Sequence, residues 1–267
     1  MDWFSNLTPI LQTLIATIFT WSVTAIGALF VIFFKEINKK LLDSMLGFSA
    51  GVMIAASFWS LLSPAIDISH SLGQIAWLMP AIGFLSGGLS VICADKFLDK
   101  MLLKRSEKSL SIHDSKRRSM LLVTAITLHN IPEGMAIGVA FGSVALNIPG
   151  ATLLSAILLA VGIGLQNFPE GAAVSLPLRR EGYSRKKSFF YGQASALVEP
   201  IAGLIGVVAV ITMRSILPFL LAFAAGAMIC VVVAELVPES TRTNKGKATV
   251  GFIIGFLVMM ILDVALG

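Results

Sequence analysis

His129-Asn130-Ile131-Pro132-Glu133-Gly134 returns 37 residues later as Gln166-Asn167-Phe168-Pro169-Glu170-Gly171. Both copies read polar, Asn, apolar, Pro, Glu, Gly, and both sit inside runs apolar enough to cross a bilayer. An ionised side chain at the centre of a spanning helix costs roughly 2.5 to 3.5 kcal/mol on insertion scales, so carboxylates, amides and an imidazole at that depth call for a compensating partner. On a helix, residues three and four apart are neighbours, which puts Glu133 within reach of His129 and Asn130. Those two point about 100° apart, from about 3.6 residues per turn, so one carboxylate serves two adjoining positions. Glu170 stands in the same relation to Gln166 and Asn167. Pro132 and Pro169 each remove a helical hydrogen bond and free the carbonyls of Leu128 and Leu165. Loose carbonyls beside carboxylates and an imidazole form a cation cage at membrane depth.

The rest of the chain is a membrane protein in composition. Its 267 residues are 56% hydrophobic and 13% charged, with a mean hydropathy of +0.88, outside the soluble globular range. Runs of about 20 apolar residues give eight expected spans, at roughly 8–34, 41–63, 75–97, 119–142, 151–178, 188–211, 216–237 and 247–266. No small-residue cleavage site precedes the first span, so no removable signal peptide is expected. With eight spans, 19 of the 20 Lys and Arg fall on one side and only Arg214 on the other. By the positive-inside rule both termini face outward, in the cell (inner) membrane, and a basic loop at about 98–118 faces the cytoplasm. The net charge of +5 reflects this segregation and not a nucleic-acid surface. Cys93 and Cys230 both lie in apolar runs and are expected as buried free thiols.

Residues 48–62 match 223–237 at six of fifteen positions, among them Phe48/Phe223, Gly51/Gly226, Met53/Met228 and Ile54/Ile229. These belong to spans two and seven, which run in opposite directions, as do spans four and five. The expected fold is therefore an all-α polytopic membrane protein, one domain over 1–267, with eight transmembrane helices in a 3+2+3 inverted-repeat arrangement. Small residues four apart (Gly47, Gly51 and Ala55; Gly134, Gly138 and Gly142; Ala222 and Gly226) mark faces for close helix approach.

Glu199, followed by Pro200, is a third carboxylate within a span that holds no basic residue, which strengthens the case for a bound cation. Asp95, Glu235, Glu239 and Asp263 lie nearer span ends, where helix capping competes with ion guidance. His70 and His113 are placed in loops. Three carboxylates, one imidazole and several amide oxygens, without thiolate, argue against Cu(I) and against a Mg²⁺ or Ca²⁺ oxygen cage. Zn²⁺, Fe²⁺, Mn²⁺, Co²⁺ and Cd²⁺ remain, as a transported substrate with no separate cofactor.

The two Pro-Glu-Gly motifs, the Glu199-Pro200 pair, eight spans and the basic loop after the third resemble the ZIP (Zrt-, Irt-like) divalent-metal transporters, in particular their GufA-like bacterial branch. The resemblance implies a binuclear site between spans four, five and six. One metal would be held by His129, Glu133, Gln166 and Glu170 and a second by Asn130, Asn167 and Glu199, with the motif glutamates able to bridge. It further implies a homodimer that moves metal into the cytoplasm, with an elevator-like motion. Family members often have His where Gln166 stands and Asp where Asn167 stands; both changes lower ligand strength or charge. Two other classes compete with this reading. An intramembrane metallohydrolase would use His-Glu-x-x-His, a string the chain lacks. A carrier or channel for a non-metal solute would want an intramembrane Lys or Arg, or an aromatic cage.

Overall fold

The computed structural model describes residues 2–34, 38–106, 113–148, 151–212 and 214–266; the side chains of 2, 95, 98–106, 113–122, 125, 129, 214 and 266 lie outside the described residues. Among the described residues the chain is helical, with no strand. Its long helical segments are α1 (Pro9–Phe33), α2 (Lys39–Ser71), α3 (Leu78–Ser106), α4 (His113–Ala145), α5 (Leu153–Arg180), α6 (Arg185–Thr212), α7 (Leu217–Ser240) and α8 (Lys245–Ala265). Six of them, all but α3 and α4, are long and apolar enough to cross a membrane, and α3 carries a shorter apolar stretch, Leu78–Ala94. Much of the expected 98–118 loop is helix instead, as extensions of α3 and α4.

Polar side chains begin these helices where the sequence offers them, each taking up a backbone N–H that the first turn leaves unpaired. Thr8 accepts from Leu11 ahead of α1, with Pro9 behind it, and Asn38 accepts from Lys40 at α2. Thr152 and Ser155 bond reciprocally at α5, Ser184 accepts from Lys187 at α6, and Asn244 from Lys247 at α8. Between α5 and α6 the chain reverses at Gly182, whose φ of 88° suits a residue without a Cβ.

In lipid there is little hydrophobic force between helices, so close van der Waals packing has to join them. The strongest pairings are α1 along α5, α4 along α6, α2 along α8 and α3 along α7. Glycine makes the approach possible: a Cβ on Gly134 would collide with the carbonyl of Glu199, and one on Gly171 with the carbonyl of Thr24. The resulting pairs meet each other where α2 touches α5 and where α7 touches α4. One π-helical turn widens α2 at Ser57–Leu62 and another widens α7 at Val232–Leu236, 175 residues further along.

The cysteine expectation needs correction. Cys93 is exposed on the protein surface and Cys230 is half-buried, because the apolar face of a membrane helix can turn to lipid as readily as to protein. His70, placed in a loop from sequence, closes the last turn of α2 with its side chain exposed.

Candidate metal site

Asn130, Glu133, Gln166, Asn167, Glu170 and Glu199 are all buried, none more than 2% exposed. Helices α4, α5 and α6 bring them to one region, and the Glu133 carboxylate lies within electrostatic reach of both Glu170 and Glu199. The side chain of His129 lies outside the described residues.

The described hydrogen bonds run between helices. Glu133 Oε1 accepts from Gln166 Nε2, so the carboxylate of one motif is held by the amide of the other, across from α4 to α5. Asn130 Nδ2 donates to the carbonyl of Ser195 on α6 at 2.9 Å. Asn167 Nδ2 donates to Glu199 Oε1 at 2.8 Å and to the carbonyl of Thr20 on α1 at 3.2 Å. Thr20 Oγ1 donates to Glu199 Oε2, and Ser49 Oγ of α2 donates to the carbonyl of Gln166 at 2.8 Å.

What remains is one-sided. Asn130 Oδ1, Glu133 Oε2, Gln166 Oε1, Asn167 Oδ1 and both carboxylate oxygens of Glu170 are buried without a donor among the described residues. Buried polar atoms nearly always find a partner, and here six acceptors on α4 and α5 share the same want. Each asparagine has turned its NH₂ to a neighbouring helix's carbonyl, which leaves its oxygen free. A bound cation would satisfy several of these oxygens at once. Among the described residues no three His, Cys, Asp or Glu side chains form a metal cage on their own.

A family model described as ZIP Zinc transporter matches residues 102–263. Zinc transporter ZIP11 of Xenopus tropicalis is 41% identical, over 97% of this chain and 98% of its own length. The chain belongs to the ZIP family. Zinc transporter GufA of Myxococcus xanthus is 35% identical, over 95% of this chain and 98% of its own, and Zinc transporter ZIPB of Bordetella bronchiseptica 38%, over 92% and 79%. All seven residues expected from sequence fall within the stretch that the ZIP model matches. Thr20, Trp21 and Ser49 fall before it.

Those three were missed in the sequence. The available signal was the stripe Thr13, Thr17, Thr20 and Thr24 on one face of α1, all buried. It is easily passed over, because threonine in a helix can satisfy its hydroxyl on its own backbone, as Thr17 does on Thr13 at 2.8 Å. Gln193, on α6 six residues before Glu199, accepts from Trp21 Nε1 through its carbonyl at 3.1 Å and its side chain at 3.2 Å.

The outlying carboxylates stand apart. Asp263 accepts from Ser60 Oγ at 2.7 and 2.8 Å and lines a cavity of about 180 Å³ with Trp59, Ser143 and Ser155. Glu235 and Glu239 line a second cavity of about 340 Å³ between α2, α4, α5 and α7, with Glu239 3.5 Å from Arg242. Asp95's side chain lies outside the described residues.

Proposed function

We propose that this protein carries divalent transition-metal ions, zinc foremost, across the cell (inner) membrane into the cytoplasm. The observation that carries the reading is the set of six buried acceptor oxygens on α4 and α5 that have no donor among the described residues. The relatives' names, all zinc transporters, favour transport over the hydrolase alternative. In this reading one metal is held by His129, Glu133, Gln166 and Glu170 and a second by Asn130, Asn167 and Glu199, with Glu133 and Glu170 bridging. Amide oxygens are weak ligands for such ions, which suits passage better than storage.

The whole chain acts as one domain of eight spans in a 3+2+3 inverted repeat, both termini outside. Support comes from the pairings. Exchange α1, α2 and α3 with α6, α7 and α8, and α4 with α5: the α1–α5 contact becomes α6–α4, α2–α8 becomes α7–α3, and α2–α5 becomes α7–α4. Thr20 and Ser195, which receive the two motif asparagines, are 175 residues apart, as are the π-helical turns of α2 and α7. In that orientation Asp263 stands at the outer cavity, where ions enter, and Glu235 and Glu239 at the inner one, where they leave. A homodimer is carried by the family resemblance alone.

Zinc uptake into proteoliposomes tests the function. Glu133→Ala and Glu170→Ala should each lower the rate at least tenfold, the order expected when a binding carboxylate is lost; wild-type rates in both would end the proposal. Competition by Cd²⁺, Fe²⁺, Mn²⁺ and Co²⁺ in the same assay ranks the cargo.

A further inference from the structure

We infer that Thr20 is a positioning residue of the cation site: its hydroxyl holds Glu199 between ions and turns away when an ion takes the carboxylate. This rests on reading Glu199 as a contact of the transported metal.

Thr20 grips the site through two atoms. Its carbonyl accepts Asn167 Nδ2 at 3.2 Å, which decides that the amide presents Oδ1, and not its NH₂, to the interior. Its hydroxyl has one proton and two acceptors in reach, the carbonyl of Thr17 at 3.0 Å and Glu199 Oε2. The proton serves one of them at a time.

Those two positions give the carboxylate a neutral, removable partner. Between ions the hydroxyl donates to Oε2 while Asn167 donates to Oε1, so neither oxygen of this buried carboxylate is stranded, which would be costly where no water reaches. When a cation takes Oε2, the proton swings to the Thr17 carbonyl and remains bonded. Arrival and departure of the ion then exchange one hydrogen bond for another, and the site releases its cargo more easily than a bare carboxylate would. The device is confined to α1. At the corresponding place on α6, Ser195 Oγ donates to the carbonyl of Gly192 at 2.8 Å, within its own helix.

The test uses purified full-length protein, with equilibrium titration of Zn²⁺ beside proteoliposome uptake. Thr20→Val and Thr20→Ala remove the hydroxyl and keep the carbonyl; Thr20→Ser keeps both. Both hydroxyl-free variants should bind Zn²⁺ about threefold to tenfold more tightly, the worth of one exchanged hydrogen bond, and turn over more slowly, while Thr20→Ser stays within about twofold of wild type on both readings. Unchanged or weaker binding in the hydroxyl-free variants, or a serine variant that behaves like valine, overturns the inference. So does loss of folded protein in both Val and Ala with Ser intact, since the hydroxyl would then be structural. Failure of the transport reading itself shows separately, as absent uptake by wild type or undiminished uptake by Glu133→Ala.

Discussion

Gln166 is where the two motifs differ most, and it shows what a single side chain contributes. Its NH₂ holds Glu133 and its Oε1 has no donor among the described residues, so in the proposed site it serves as both a support and a weak oxygen ligand. Gln166→His replaces that oxygen with an imidazole, a stronger partner for zinc. The expected outcome is tighter Zn²⁺ binding by equilibrium titration together with slower uptake, because release becomes the harder step. Asp43 teaches a different lesson. It is buried, its Oδ2 accepts from the backbone N–H of Asn244 at 2.7 Å, and it thereby ties the start of α8 to α2. Asp43→Ala should cost about 1 kcal/mol, read as a lower melting temperature, with zinc affinity unchanged. Nothing in its own stretch, Leu42-Asp43-Ser44, marks this role, since its partner lies 201 residues away.

Helix pairs depend on positions where backbone meets backbone. The glycines four apart in the sequence already marked faces for close approach, and Gly134 and Gly138 of α4 do lie against α6, while Gly47 and Gly51 of α2 lie against α8. Which helix each would meet was not readable, because a smooth face fits any other smooth face. Gly134→Ala and Gly171→Ala should each sharply lower the melting temperature of the purified protein, as the added methyl strikes a carbonyl that cannot move without its helix. Gly88→Ala is the control: its Cβ would lie 3.6 Å from the Gly226 carbonyl and 3.9 Å from the Cys230 Cβ, ordinary contact, so no change is expected. The candidate site was legible in part for the same reason. The motif residues were marked by their polarity in an apolar run, but that Glu133 would bond Gln166 on another helix was not, since a helix-interior carboxylate seeks a donor wherever packing supplies one.

For the molecule as a whole, the proposed orientation yields a labelling pattern. With Cys93 and Cys230 replaced by serine, a cysteine at Ser215 should react with a membrane-impermeant maleimide added outside intact cells, and one at Ser184 only after permeabilisation. The opposite pattern would invert the topology. Helicity, the apolar runs, the segregation of Lys and Arg and the paired Pro-Glu-Gly motifs were all present in the residue order, because each depends on local spacing and on transfer between water and lipid. Only the folded molecule decided that α1 closes the site, through Thr20 on Glu199 and Asn167. It alone also decided which oxygens have no donor among the described residues. Those outcomes depend on which helices lie side by side, and a threonine on a helix has an equally good local use for its hydroxyl until a carboxylate from 179 residues away arrives beside it.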